Sequence, residues 1–314
     1  MPLICAASLL PCSAIAQAFP RSRAIRLVVS GPVASATDLV SRVLADALEP
    51  VLGQRVVVEN KPTANGAVAG ADVARSSADG YSLLGMVTSS MVINPHINRN
   101  VSWHPVNDFT AIGEIGTTAS VVAAPANSPY HNFDEALTAA RARPDQVTFG
   151  VLTLTLSHFI ALALKQRTGA EFSLIPFTTQ AQMVSAALSR DIDLVSTGAG
   201  GVLPLIETGE LLPLVVTSDE RITPLPAVPT LAEFVPGFSA PNWLGLFGPA
   251  GMDPGIVATL NAAMNDVLAR PSVREQLIRA GTMPSSGSAR AMADRVRSDF
   301  ERYRDIVAAA GLAQ

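Results

Sequence analysis

The chain is poor in several features on which enzymes and membrane proteins often depend. Its two cysteines, Cys5 and Cys12, both fall within the first 18 of 314 residues. The rest of the sequence therefore has no thiol for a disulfide, a nucleophile or a metal ligand. No later apolar run reaches the roughly 18 residues that a membrane-spanning helix needs. We expect the mature chain to be free of thiol chemistry and of membrane spans.

Charge is also scarce. Charged residues make up 15% of the sequence and the formal net charge is −4, which gives no electrostatic reason to expect nucleic acid or an anionic membrane as a partner. The histidines are scattered without metal-ligand spacing. No Gly-x-Ser-x-Gly elbow, Walker sequence or complete dinucleotide fingerprint occurs. The sequence predicts no metal, no cofactor and no enzymatic activity.

The first 18 residues differ from the rest of the chain. They are apolar and end in Ala16-Gln17-Ala18, which fits the small-x-small rule for signal-peptide cleavage. We expect an export signal that is cleaved after Ala18, which would place the mature protein in the periplasm. A hydrophobic N-terminal helix is the alternative interpretation.

From Ile25 onward, apolar runs typical of strands alternate with helical patterns. Three such strands precede an irregular stretch at 94–109, and a second series of strands and helices begins near residue 120. This order favours an α/β fold with two lobes, each a mainly parallel sheet flanked by helices, and a cleft between the lobes. The expected limits are 19–122 plus 244–314 for the first lobe and 123–243 for the second.

Several junctions between strand and helix are rich in hydroxyls and contain no Lys or Arg. Such a junction directs free backbone N–H groups, and the positive end of a helix dipole, at the space in front of it. Several of them at one cleft would make a receptor for a small anion. The candidate ligand-binding residues in these junctions are Ser30, Ala34, Ser35, Ala36, Thr37, Asp38, Thr88, Ser89, Ser90, Leu154, Thr155, Ser157, His158, Phe177, Thr178, Thr197 and Gly198.

Some of these residues have alternative interpretations. Asp38 either contacts the ligand or caps its helix together with Thr37. His158 either donates to the ligand or bonds within its own lobe. Trp243 either walls the cleft or packs in the core. An exported hydrolase that uses Ser157 and His158 is a remote possibility, because adjacent residues on one helical turn point in different directions.

An ordered set of short motifs supports a closer comparison. It includes Arg26-Leu-Val-Val29, Asp79-Gly-Tyr81, Asp108-Phe109 and Pro226-Ala-Val-Pro-Thr230. In this order the motifs resemble the Bug-type receptors of tripartite tricarboxylate transporters. The resemblance implies a monomeric, two-lobed periplasmic binding protein that closes by hinge motion. It also implies a small organic acid held by N–H groups, hydroxyls and water, and a membrane permease as partner. A receptor that signals without transport is the alternative.

The chain departs from this family in its ligand loops. Ala34, Ser35 and Ala36 stand where the family is rich in glycine, and Leu152-Thr-Leu154 replaces a Gly-Asn-Gly sequence. Phe177-Thr-Thr179 likewise replaces Tyr-Lys-Gly. Because glycine lets the backbone approach a ligand closely, we expect either a smaller and more apolar cavity than is usual in the family or one that has lost the usual ligand.

Overall fold

The structure is a computed structural model that describes residues 19–153 and 155–313. The expected export signal at 1–18 and the candidate site residue Leu154 lie outside the described residues. Within the described part of the chain, no helix combines the length and the apolar character needed to cross a membrane.

The described residues form eleven strands and eleven α-helices. The strands are β1 (Ile25–Val29), β2 (Val56–Asn60), β3 (Ser82–Val87), β4 (Phe109–Thr118), β5 (Ser120–Pro125), β6 (Val147–Leu152), β7 (Phe172–Phe177), β8 (Leu194–Gly198), β9 (Leu211–Val216), β10 (Asn242–Pro249) and β11 (Met283–Pro284). The helices are α1 (Ala36–Leu52), α2 (Ala67–Ala74), α3 (Asn94–Ile97), α4 (Phe133–Ala142), α5 (Leu156–Thr168), α6 (Gln180–Leu188), α7 (Leu203–Glu207), α8 (Leu231–Phe234), α9 (Pro254–Ala269), α10 (Pro271–Arg279) and α11 (Ala289–Ala309).

Two separate sheets carry these strands. One has the order β11-β4-β10-β3-β1-β2 and the other β7-β6-β8-β5-β9. One side of each sheet is parallel, as β1 pairs with β2 and β3, and β6 pairs with β7 and β8. Antiparallel strands then extend both sheets, because β10 runs against β3 and β4, and β5 against β8 and β9. The α/β prediction is confirmed, and both sheets are mixed.

No strand was predicted between the irregular stretch at 94–109 and the strand at residue 120, so β4 was missed. This strand contains Gly113 and Gly116, and both glycines allow close packing. A Cβ at Gly113 would lie 2.3 Å from the Met264 Cε atom, and one at Gly116 would lie 2.5 Å from the Met283 carbonyl oxygen. Glycine weakens the sequence signal of a strand exactly where another segment approaches its backbone.

The chain changes sheet at Ala119, which separates β4 from β5, and returns between β9 and β10. The expected lobe limits at residues 122 and 243 therefore fall inside β5 and β10. A 3₁₀ turn at Ala199–Gly201 precedes α7, and Pro204 lies in the first turn of α7, where the missing N–H of proline costs little.

A hydrophobic core joins the two sheets through α11, which packs on β4 and α5. Phe159 of α5 meets Tyr303 of α11 with 6.4 Å between their ring centroids. Trp243 is fully buried in this core, and its indole N–H donates to the Asp299 carboxylate over 2.8 Å. The structure thus favours core packing for Trp243 over a place in the wall of the cleft.

Candidate functional site

A cavity of about 260 Å³ lies between the two sheets. Its walls come from both sheets and from the helices that follow their strands. It is lined by Ala36, Thr37, Val87, Ser89, Thr118, Ser120, Leu152, Thr155, Leu156, Ser157, Gln180, Ser196, Thr197, Gly198, Asn242, Leu244 and Thr282. None of these residues is ionisable, so any charge on a ligand would be met only by dipoles and hydrogen bonds.

Three helices begin at this cavity. They are α1, α5 and α6, with Ser35, Thr155 and Thr179 as their N-cap residues. In α1 the Ser35 hydroxyl accepts from the Asp38 N–H over 3.2 Å. The N–H groups of Ala36 and Thr37 have no acceptor within the described ranges. The first turns of a helix leave such donors free, and together with the dipole they attract an anion.

A network of hydrogen bonds around the buried Asp38 carboxylate holds the loop in front of α1. Ala34 has φ +64°, the left-handed region that glycine enters most easily. The Asp38 carboxylate fixes this turn by accepting from the Ala34 N–H at 2.9 Å, and it also accepts from the Asn60 side-chain amide at 2.9 Å. The Arg42 guanidinium donates to the same carboxylate at 3.1 Å.

The charge state of Asp38 follows from this network. Burial acts to raise the pKa of the Asp38 carboxyl, but the hydrogen bonds from Arg42, Asn60 and the Ala34 N–H outweigh it, and the net pKa is lowered. The residue is 1% exposed and does not line the cavity. The N-cap interpretation of Asp38 was wrong, because Ser35 is the N-cap residue and Asp38 supports the loop from behind. The structure gives no support to a direct ligand contact by Asp38.

The junction before α5 is held by hydroxyls. The Ser157 hydroxyl accepts from the Leu152 N–H over 3.0 Å, while the Thr155 hydroxyl donates to the Leu152 carbonyl over 2.8 Å. The two hydroxyls are themselves 3.0 Å apart. Both residues line the cavity, so these bonds shape the wall from which α5 starts.

His158 follows in α5 but is not among the residues that line the cavity. It is partly buried beside Phe159, with 5.7 Å between the ring centroids. Burial lowers the pKa of its imidazole, which favours the neutral form. The structure gives no support to a direct ligand contact by His158.

Of the three hydroxyls after β3, the structure brings only Ser89 to the cavity. Thr88 is buried, where its hydroxyl accepts from the Trp243 N–H over 2.9 Å. The Ser90 hydroxyl donates to the Asn65 side chain over 3.2 Å. Thr88 and Ser90 therefore support the packing around a π-helical turn at Ser89–Ile93.

Some of the remaining predicted residues line the cavity and others do not. Thr197 and Gly198 line the cavity, as do Ala36 and Thr37. Ser30, Ala34, Ser35, Phe177 and Thr178 do not. Phe177 packs against the core of the second sheet, and the Thr178 hydroxyl donates to the Gln182 side chain over 2.8 Å. After β7 it is Gln180, at the start of α6, that reaches the cavity.

Several of the cavity residues that sequence reasoning missed lie where the chain passes between the sheets. Thr118 and Ser120 flank the crossing at Ala119, and Asn242 marks the return. Thr282 joins them, with its hydroxyl 3.3 Å from that of Thr118. The available signal was the position of the two crossings, since a cleft between lobes is bounded by the segments that connect them.

The described residues contain no group of three or more His, Cys, Asp or Glu that could hold a metal ion. The sequence matches the family described as tripartite tricarboxylate transporter family receptor over residues 40–312. The chain belongs to this receptor family. Members of the family are periplasmic solute-binding proteins, and the two-lobed binding-protein fold is confirmed by the structural relatives.

Individual relatives are moderately similar over almost the whole chain. A protein encoded in the tcbD-tcbE intergenic region of Pseudomonas sp. strain P51 is 30% identical, covering 92% of this chain and 87% of that protein. BugT of Bordetella pertussis is 29% identical over 92% of this chain and 90% of its own length.

Solved structures show the same similarity. A ligand-free TctC solute-binding protein from Polaromonas is 29% identical and superposes with a TM-score of 0.84, covering 92% of this chain and 99% of that one. Rpa4515 of R. palustris, solved with adipate, is 28% identical with a TM-score of 0.76, over 93% of this chain and 99% of its own. This family is one of receptors rather than enzymes.

Proposed function

We propose that this receptor captures a small organic acid in the cavity between its lobes and delivers it to a membrane permease of the tripartite tricarboxylate type. The observation that carries the proposal is the start of three helices, α1, α5 and α6, at one cavity that has no ionisable lining residue. Their free N–H groups and dipole ends suit a carboxylate. Adipate in the relative Rpa4515 supports the same ligand class.

The lobes would close around the ligand by hinge motion. We place the hinge at the two crossings, near Ala119 and between β9 and β10, because there the chain passes from one sheet to the other. The first lobe then holds the sheet of β1 and the second the sheet of β6. We further propose that the protein is a monomer without nucleic-acid partners, exported to the periplasm with its leader cleaved after Ala18.

A thermal-unfolding screen of the mature chain against mono-, di- and aromatic carboxylates tests the ligand class. A ligand at a hundred times its dissociation constant should stabilise the folded state by about 2.7 kcal/mol. Because Val87, Leu152, Leu156 and Leu244 line the cavity, aromatic or branched acids should stabilise the protein more than citrate does. The absence of stabilisation by every carboxylate would contradict the proposal.

Transport is tested separately. A strain that lacks this chain should lose uptake of the acid identified in the screen and should recover uptake when the chain is restored. Unchanged uptake, combined with a ligand-dependent change in gene expression that requires the chain, would instead identify a sensing receptor.

A further inference from the structure

Gln180 has the longest polar side chain among the described residues that line the cavity. It is the first residue of α6 and is half-buried. Its side-chain amide makes no hydrogen bond within the described ranges, and its amide atoms are accessible rather than buried. A carboxamide offers two donors and an acceptor without carrying a charge. This amide is therefore available to a molecule in the cavity.

The amide of Gln180 lies against Gly201, on the junction that follows β8. Gly201 ends the 3₁₀ turn Ala199–Gly201. A Cβ at Gly201 would lie 1.8 Å from the Gln180 Nε2 atom and 3.0 Å from its Cδ atom, so the amide occupies the space that any larger residue would need. Gly201 is not among the residues with positive φ, and its backbone conformation alone does not require glycine. The missing side chain at Gly201 thus makes room for the Gln180 amide.

We infer that Gln180 donates from its side-chain NH2 group to the ligand carboxylate, and that Gly201 is the positioning residue that keeps this amide at the cavity. This inference rests on the proposed function, because it needs a carboxylate between the lobes. The lining residues supply no charge of their own, so a carboxylate there depends on neutral donors. A hydrogen bond to a charged group is stronger than one between neutral groups, which makes a free NH2 group an effective donor.

Gln180 differs from several other polar side chains of the cavity wall. The hydroxyls of Thr155 and Ser157 are already engaged within their own junction, and the Thr118 hydroxyl lies 3.3 Å from that of Thr282. A ligand that binds those hydroxyls competes with a protein group for them. The amide of Gln180 has no such internal bond, so its donors are available to the ligand without the loss of an existing contact.

Calorimetric titration at pH 7 with benzoate, hexanoate and adipate tests the role of Gln180. Gln180→Ala should weaken binding of these acids about tenfold, because it removes one hydrogen bond to a charged group. Gln180→Glu should weaken it about a hundredfold, because a carboxylate of nearly the same shape then faces the carboxylate of the ligand. Gln182→Ala is the matched control, since Gln182 is exposed on the same helix and does not line the cavity. It should change affinity less than about twofold.

A double-mutant cycle tests the role of Gly201, which does not itself line the cavity. Gly201→Ala should weaken binding nearly as much as Gln180→Ala does, because the new Cβ displaces the amide. In the Gln180→Ala background it should change affinity less than about twofold. Since Gly201 does not have a positive φ, Gly201→Ala should unfold at the same or a higher denaturant concentration. Gly287→Ala, whose Cβ would meet no atom within 4 Å, is the control and should leave affinity unchanged.

The outcomes separate this inference from the proposed function. Unchanged affinity in Gln180→Ala, or equal affinities in Gln180→Ala and Gln180→Glu, would overturn the contact with the carboxylate while leaving the receptor function intact. Losses from Gly201→Ala and Gln180→Ala that simply add, or earlier unfolding of Gly201→Ala, would overturn the positioning role of Gly201. If none of the three acids binds the unmodified protein and the broader carboxylate screen is also negative, the proposed function itself fails.

Discussion

The junctions before α1 and α5 both place the start of a helix at the same cavity. They differ in the side chains that hold the loop in front of the helix. Before α1, a buried carboxylate on Asp38 holds Ala34 in a left-handed turn. Before α5, the hydroxyls of Thr155 and Ser157 hold the backbone of Leu152. The first junction thus depends on one charged side chain that does not line the cavity. In the second, the residues that hold the loop also line the cavity.

This difference predicts the largest effect for Asp38. We expect Asp38→Ala to lower the free energy of unfolding by about 3 kcal/mol, since it removes the buried partner of Arg42, Asn60 and the Ala34 N–H. Urea unfolding measures this loss. Asp46→Ala is the matched control, an exposed aspartate on the same helix, and should change stability by less than about 0.5 kcal/mol. Equal effects of the two substitutions would remove the contrast between the junctions.

The Asp38 carboxyl also predicts a pH dependence. Its folded-state pKa is lowered from the ordinary value of 3.8. Its contribution to stability is therefore complete above 3.8 and is lost as the pH falls through the lower folded-state pKa. Unfolding experiments from about pH 6 down to about pH 2 should show a smaller acid loss in Asp38→Asn than in the unmodified protein. If both proteins lose the same free energy of unfolding as the pH falls, other carboxylates determine the loss.

Ser157 should give an intermediate effect that appears in both stability and binding. Ser157→Ala leaves the Leu152 N–H without its acceptor and should cost about 1–2 kcal/mol. Binding of any carboxylate ligand should weaken as well, because the same loop forms the cavity wall. Ser185→Ala on the exposed side of α6 is the control. A loss of stability without a loss of affinity would show that Ser157, like Asp38, only supports its loop.

The smallest effect comes from glycine. Ala34→Gly relieves a left-handed conformation at φ +64° and should stabilise the protein by up to about 1 kcal/mol. Thr153 is exposed and is not among the residues with positive φ, so Thr153→Gly should destabilise it by about 0.5–1 kcal/mol. Thermal unfolding should show melting temperatures that shift in opposite directions in the two variants. Shifts of the same sign would show that the two loops do not differ in backbone strain.

Much of the fold could be predicted from residue patterns. Buried runs such as Ile25–Val29 and the periodic helix α9 are visible because their own residues determine local structure and burial. The strand β4 was not visible. Its glycines allow α9 and β11 to approach the strand closely. Because those elements are distant in sequence, their packing leaves no pattern in the residues of β4 itself.

The candidate site was predictable only in outline. The hydroxyl-rich junctions led to Thr37, Ser89 and Ser157, which do line the cavity. Nothing in the sequence of this junction distinguishes Ser89 from its neighbours Thr88 and Ser90. All three are hydroxyl residues, and only the direction in which each side chain points decides which one lines the cavity. The orientation of each side chain depends on the segment packed against it, such as Trp243 against Thr88.

The sequence by itself determined the α/β class, the presence of two lobes and the family, because these follow from periodicity and the order of motifs. Tertiary structure alone decided which helix starts and which polar atoms meet at the cavity. Asn242 and Ser196 are far apart in the chain and line one cavity only because the two sheets bring them together. Which side chains meet there depends on the packing of distant segments, so it cannot be read from one segment.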